Sequence, residues 1–391
     1  AARESDADRR GALAKWARAS ESERHVGAMM NLARSEPGIP VDLDALDTDP
    51  FTLTVLNGTV DLRTGVLRSH ERGDLITKIA PIIYDPDARL PLWDRFLETI
   101  FPDAQTRNYV QRSAGYSLLG LPEQDRIFFG YGPSRSGKTT FIEAIASAAG
   151  EYAMHSNTDA LAARSHPGGP RPEIARLAGA RLVVASEVEK GQRLALALIK
   201  TLAGGDKIAA RHLYKGEFEF RPTFTIWVVG NDRLLVPDND EAVWERLREV
   251  PFRVVIPREE RDPAVKQQLR RPDVGGPAVL AWLVEGCLAY LRDGLGEPPE
   301  VAAATDDFRS DMDPLNRFLG DCCRLTGWAF AAQLRAAYEK YCKEEGGIPV
   351  GDREWGDRLR AHGARSVKKG RDSARAWDGI SLVSERSEGS S

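Results

Sequence analysis

A lysine and a threonine stand side by side at the end of Gly132-Pro133-Ser134-Arg135-Ser136-Gly137-Lys138-Thr139, directly after the apolar run Ile127-Phe128-Phe129. The pattern G-x-x-x-x-G-K-T is a phosphate cradle. Its glycines let successive N–H groups point at an anion, Lys138 reaches the β- and γ-phosphates, and the Thr139 hydroxyl can ligate Mg²⁺. Thr140 follows, and then Phe141, Ile142, Ile145, Ala146 and Ala149 recur at helical spacing. The loop therefore opens a helix, whose N-terminal dipole also favours anions. A nucleoside triphosphate is expected here, but the reaction stays open, because kinases, GTPases, transporters and motors share this loop.

Further chemistry-bearing residues come later in the chain. The run Arg181 to Ser186 is a short buried strand ending in Glu187, where an acid can hold Mg²⁺ or orient water, and Glu189 follows two residues on. A second buried strand, Phe224 to Val229, ends in Gly230-Asn231-Asp232, and its amide can hydrogen-bond a γ-phosphate or the attacking water. The segment from Ala242 to Arg248 is a short helix with Arg246 and Arg248, either of which could stabilise transition-state charge on a neighbouring subunit's nucleotide. Between the two strands, residues 207 to 220 form two extended halves around a turn with Arg211, His212 and Lys215 near its tip. Such point charges track nucleic-acid phosphates, although spacing alone is equally met by a plain surface hairpin.

The elements that must hold these residues follow from pattern. Residues 7 to 34 read as one helix, and Phe51 to Leu62 as a hairpin turning at Asn57-Gly58. Trp93, Phe96, Leu97 and Ile100 mark a helix, Tyr109 to Leu119 another, and Ser165 to Pro170 a mobile loop. Three helices and two short extended pieces follow Asp313-Pro314. Between Arg358 and Trp377 seven Lys or Arg face one acid, Asp372, a charge that could meet phosphates. The final SERSEGSS reads as a disordered tail.

With 391 residues, 42% hydrophobic and 29% charged, the chain has room for two or three domains of ordinary soluble type. No apolar run of membrane-spanning length and no signal peptide is present, so a cytoplasmic protein is expected, in a bacterial host. The formal charge of -4 excludes a surface that is basic all over, so any nucleic-acid contact must be local. Cys287, Cys322, Cys323 and Cys342 form no metal-ligand spacing.

The segments GYGPSRSGKTT, RLVVASEVEKG, IKTLAGGDKIAARHLYKGEFEFRPTF, IWVVGND and VWERLREVPF, taken together, resemble motifs A, B, B′ and C and the arginine-finger segment of superfamily 3 helicases, closest to the poxvirus and phage/plasmid primase-helicases. The resemblance runs from about residue 40 to 300 and includes LNGTVDLRTGVL and the W-x-x-F of Trp93 and Phe96. It implies an α/β fold: an AAA+-type P-loop ATPase core (91–304), a small α+β N-terminal collar (1–90) and a winged-helix-like C-terminal domain (305–391). It implies a homo-hexameric ring that uses ATP and Mg²⁺ to move 3′ to 5′ on single-stranded DNA. In that frame Lys138 and Thr139 bind phosphate and metal, Glu187 is the motif B acid, Asn231 the sensor amide and Arg246 the finger, with Arg248 second. Arg211, His212 and Lys215 fall on the DNA-tracking hairpin. Ser186-Glu187 stands where two adjacent carboxylates are usual. A primase domain, if any, is expected upstream of Ala1, and other replication proteins are expected partners. Two other classes stay open: an ATP-dependent initiator or loader that binds DNA without unwinding, and a P-loop phosphotransferase.

Overall fold

The computed structural model describes residues 7–163, 172–186, 192–211, 216–236, 241–345, 349–370 and 373–383. They fall into two compact units, one of residues 1–49 with 71–77 and one of 50–70 with 78–391. The first unit holds α1 (Ala7–Ser20) and α2 (Glu23–Ala33), neither of which has a buried residue. The single helix expected over 7–34 is two, because the backbone turns extended at Ser22, whose hydroxyl donates to the Ala19 carbonyl.

The second unit opens with an antiparallel meander of β1 (Thr52–Val55), β2 (Gly58–Asp61) and β3 (Val66–Arg68). Val55 pairs with Gly58, so the turn residues are Leu56 and Asn57 rather than Asn57 and Gly58. The cause is local. The Asn57 side chain is occupied with the Tyr84 backbone, donating to its carbonyl and accepting from its N–H, both at 2.9 Å. Gly58 is needed for another reason: a Cβ there would stand 2.2 Å from the Arg68 carbonyl oxygen. Leu53, Val55 and Val60 are fully buried in the same cluster as Phe141 and Trp227, which is why the meander belongs to the large unit. The compact division thus does not follow the boundary expected at 90.

Helices α3 (Pro91–Ile100) and α4 (Ala104–Tyr116) lead to β4 (Ile127–Tyr131) and α5 (Lys138–Ala149). Then come β5 (Ala153–Asn157), the short α6 (Pro172–Ala175), β6 (Leu182–Ser186), α7 (Leu196–Ala203) and the hairpin β7 (Ile208–Arg211) and β8 (Glu217–Phe220). The core closes with β9 (Thr225–Gly230), α8 (Glu241–Arg246), β10 (Leu247–Pro251), α9 (Pro263–Arg270), α10 (Gly276–Asp293) and α11 (Pro299–Met312).

Five strands form one parallel sheet in the order β10-β4-β9-β6-β5. Its central strands alternate their side chains between two cores. Phe128, Val184, Trp227 and Val250 face the cluster built with α5 and α10, while Ile127, Phe129, Val183 and Val228 face the cluster built with α7 and α8. Burial on both faces explains the unbroken apolar runs that mark these strands in the sequence. Strand β5 carries Met154-His155-Ser156 and is half exposed at the sheet edge, so it shows no such run and does not stand out in the sequence.

Helix α11 crosses the boundary expected at 304, and its Phe308 packs in the sheet's core. A separate apolar cluster begins at Leu315. It gathers α12 (Pro314–Cys322), α13 (Ala331–Glu345) and α14 (Asp352–Ala361). With them lie β11 (Cys323–Arg324), β12 (Trp328–Phe330), β13 (Arg365–Lys369), β14 (Ala374–Asp378) and β15 (Ser381–Leu382), of which β12-β14-β13 form a sheet. The three helices match expectation; β12 has too few residues to show a period.

Helices α4 and α10 cross with their backbones in close contact. A Cβ at Gly115 would lie 2.1 Å from the Cys287 nitrogen, and one at Gly286 would lie 2.1 Å from the Gln111 carbonyl oxygen. Backbone cannot give way as a side-chain tip can. Gly115→Ala is expected to destabilise the unit by about 3 kcal/mol, read as a lower urea midpoint; an unchanged midpoint would refute the close crossing.

Candidate nucleotide-binding site

The phosphate loop is clamped from two sides. Gly132 lies against Phe252, where a Cβ would fall 2.0 Å from the carbonyl oxygen, and the Phe252 N–H donates to the Tyr131 carbonyl at 2.7 Å. Gly137 has φ +85°, and a Cβ there would be 2.5 Å from Ile100 of α3. Gly132 is therefore fixed by backbone approach, and Gly137 by its left-handed conformation and the Ile100 side chain. Arg135 adopts φ +68° without being glycine, and its carbonyl accepts from the Ile256 N–H at 3.1 Å. Pro133, Ser134 and Arg135 are exposed, whereas Ser136 is buried with its hydroxyl donating to the Pro133 carbonyl at 2.9 Å.

Lys138 opens α5 and is itself buried. Its ammonium donates to the Gly132 carbonyl at 2.7 Å, the Pro133 carbonyl at 2.6 Å and the Ser136 hydroxyl at 3.0 Å. All three ammonium protons are thus turned into the loop that should hold a phosphate. Burial depresses its pKa to about 8.

A cavity of about 220 Å³ opens beside it, lined by Lys138, Thr139, Ser186 and Asn231 together with Glu143 and His155. Strand register brings these together. Tyr131 of β4 pairs with Gly230 of β9, and Ser186 of β6 pairs with Val229, so Gly132 and Asn231 leave the sheet at the end where Ser186 lies. Carboxyl ends of parallel strands are where open α/β sheets bind ligands. Glu143 lies one turn beyond Thr139 on α5, with Arg270 Nη1 2.8 Å from its Oε2, and His155 stands on the edge strand β5. Sequence reading missed both. A residue four positions past Thr139 on the same helix was the available signal for Glu143; nothing marked His155.

A second cavity, of about 410 Å³, lies on the other side of the loop and is lined by Leu92, Phe96, Arg135, Thr140, Ile256 and Val265 among others. Phe96 of the W-x-x-F segment forms part of its wall beside Gly137 of the loop.

Other expected residues lie elsewhere. Glu187, Glu189, His212, Lys215 and the loop expected at Ser165 to Pro170 are outside the described residues. Arg211 is exposed at the end of β7, and pairing of Arg211 with Glu217 makes the expected hairpin. Arg246 ends α8 away from the 220 Å³ cavity; one terminal nitrogen donates to the Ala242 carbonyl at 2.7 Å and the other is 3.4 Å from Asp125. Among the described residues its Nε is buried with no hydrogen-bond partner. Arg248 is fully engaged, with Nε 2.7 Å from Glu297 and Nη1 donating to three carbonyls. In the C-terminal cluster Arg358 pairs with Asp313 and Glu354, and Arg360 with Asp357, so part of the basic stretch is neutralised at home.

Residues 1–102 match the family "D5 N terminal like", and residues 130–246 match "Family of unknown function (DUF5906)". A protein of Frog virus 3 (isolate Goorha) named "Putative helicase 022R" is 28% identical over 59% of this chain and 25% of its own length. One of African swine fever virus (strain Badajoz 1971 Vero-adapted) named "Putative primase C962R" is 22% identical over 71% of this chain and 31% of its own. The first family and the viral helicase and primase relatives together support a superfamily 3 primase-helicase type. The chain spans about a quarter to a third of the length of these viral relatives. It also overlays the apo NrS-1 C-terminal region with TM-score 0.45 and 14% identity, covering 76% of this chain and 77% of that one. The relatives come from viruses of eukaryotes and lend no support to the bacterial host expected above. No helix among the described residues is long and apolar enough to cross a membrane.

The self-bound Lys138 sets a pH dependence. Phosphate needs the ammonium form, and binding must take up a proton wherever the free loop has lost one. Affinity for a triphosphate analogue is expected to fall as pH rises through 8, by about tenfold between pH 7 and 9, in a titration of Kd against pH. Lys138→Arg should flatten that profile, since a guanidinium keeps its proton; a flat wild-type profile would count against the assignment.

Proposed function

We propose that this chain is the motor of a ring-forming DNA helicase, hydrolysing ATP to move 3′ to 5′ along single-stranded DNA during replication of viral or mobile-element DNA. The names of the viral relatives, helicase and primase, support replication as the setting, although the chain matches only part of each. The observation that carries the reading is a division of the site. Lys138, Thr139 and Asn231 line one cavity, while Arg246, the cation with an unspent buried donor, lies outside it. In a ring of six copies that arginine would serve the next subunit's nucleotide.

The chain's own residues would act as follows. Lys138 exchanges its three loop acceptors for β- and γ-phosphate oxygens. The oxygen donors at the cavity, the Thr139 hydroxyl beside Ser186 with Glu187 next in sequence, suit Mg²⁺, a hard cation that would neutralise charge developing on the phosphates. Asn231 orients the attacking water from the end of β9. The 410 Å³ cavity, apolar at Leu92, Phe96 and Ile256, receives the base. Arg211, His212 and Lys215 on the β7–β8 hairpin meet the DNA backbone, a local charge compatible with the overall -4 because six hairpins share one pore. The C-terminal cluster acts as a winged helix that presents Arg365 and Lys368 on the strand β13.

Lys138→Ala is expected to abolish ATPase and strand displacement on a forked substrate, and Lys215→Ala to keep most basal ATPase while losing its stimulation by single-stranded DNA. Equal loss of basal ATPase in both would refute this division of labour. Mixing inactive Arg246→Ala with inactive Lys138→Ala subunits should restore part of the ATPase, because mixed interfaces contain one intact site. No recovery at any ratio would remove the finger from Arg246.

A further inference from the structure

Two residues past Asn231, the chain carries an arginine that is held on every side. Arg233 Nε donates to Glu249 Oε2 and Nη2 to Oε1, each at 2.8 Å, a bidentate fork between two fixed planar groups. Its Nη1 donates to Asp311 of α11. The rings of Tyr131 and Phe308 lie 4.6 and 5.1 Å from the guanidinium carbon. Arg233 and Glu249 side chains are 14% and 3% exposed, so this is a buried ion pair with all its partners in place. Burial by itself would lower Arg233, but the Glu249 fork with Asp311 carries it above the ordinary guanidinium value, while burial pushes the Glu249 carboxyl above the ordinary carboxylate value.

The two ends of that pair lead to different places. On one side Arg233 anchors the loop that begins at Asn231, a loop also tied by the Leu235 N–H to the Gln192 carbonyl at 2.8 Å, beyond motif B. On the other side Glu249 sits in β10, three residues after Arg246 and one after Arg248. The Glu249 N–H further donates to Thr305 of α11 at 3.0 Å. A buried ion pair in place of apolar packing is weak support for stability, so its presence between these two elements asks for another role.

We infer that the Arg233–Glu249 pair is a positioning element: it holds Asn231 at its own subunit's phosphate cavity and, through β10, sets Arg246 for the next subunit. This rests on the helicase reading above, in which Asn231 and Arg246 serve two neighbouring nucleotides. Neither Arg233 nor Glu249 lines the 220 Å³ cavity, so they act through Asn231 and Arg246 and do not touch substrate. A displacement of Asn231 on meeting the γ-phosphate is then passed to the strand that follows Arg246, because a fork of two hydrogen bonds resists both sliding and rotation.

The test uses the full chain with Arg233→Lys, which keeps the charge and loses the fork, and Glu249→Gln, which keeps the shape and loses the charge. Both are expected to lower kcat by about tenfold to a hundredfold, the scale of a misplaced catalytic group, with KM and the Kd of a non-hydrolysable ATP analogue within about twofold. Asn231→Ala sets the reference. If Asn231→Ala leaves kcat unchanged, the catalytic reading of Asn231 falls and this inference with it. If Asn231→Ala lowers kcat while folded Arg233→Lys and Glu249→Gln do not, only the clamp falls. A loss of kcat that merely follows the loss of folded protein in thermal unfolding, in both variants, makes the pair structural and also overturns it. The link to Arg246 is read by combining Arg233→Lys with Arg246→Lys: the double variant should be slower by clearly less than the product of the two single defects, the remainder passing through Asn231, and a full product would refute the link.

Discussion

Burial of both sheet faces is the constraint on which the rest of this molecule depends. Between the α5–α10 side and the α7–α8 side, β4, β6 and β9 have no room for an unpaired polar side chain along their length. Polar residues can appear only where the strands run out, and parallel pairing makes them run out at the same end. Gly132, Ser186 and Asn231 are thus neighbours by register, although more than 40 residues separate each from the next in sequence. A buried ion pair does sit beside this layer: Glu249, in the middle of the edge strand β10 and paired with Phe129, is met by Arg233 from the segment after β9 through a fork of two hydrogen bonds.

The loop at that rim is closed before any phosphate arrives. Lys138 has withdrawn its charge into carbonyls of its own loop, and Gly132 and Gly137 are pressed against Phe252 and Ile100. On the helicase reading, binding a triphosphate would be an exchange of acceptors around one ammonium, in a loop whose two glycines are packed against Phe252 and Ile100. The low pKa follows from the same burial, and it ties affinity to the proton that Lys138 must carry.

How much of this was legible in the sequence varies with the physics of each piece. Strands buried on both faces announce themselves as apolar runs, and the G-x-x-x-x-G-K-T spacing has few other uses, so β4, β6, β9 and α5 were readable with their terminal residues. Strand β5 was not, because an edge strand with half-exposed Met154 and His155 carries no period. His155 consequently entered the cavity unannounced. The turn at Leu56-Asn57 was misread because Asn-Gly is a statement about backbone preference, and here the asparagine side chain is committed to Tyr84 while the glycine answers to a passing carbonyl. Nor could spacing separate Arg246 from Arg248. Both sit near the join of one helix and one strand, and only the contacts of their guanidinium groups distinguish them.

Those contacts bear on how copies of the chain could meet. Arg248 is 14% exposed and bound to Glu297 and three carbonyls, so releasing it would break four hydrogen bonds at once. Arg246 faces Asp125 at 3.4 Å, a half-exposed aspartate whose pairing is worth little in water. On the helicase reading, a neighbour's triphosphate competes with one weakly held carboxylate for Arg246 and cannot displace Glu297 from Arg248. The finger is then the arginine with the poorer partner. Asp125 gains a purpose on the same argument: it keeps Arg246 near its working position in a free subunit, and it yields once a more highly charged acceptor is brought within reach.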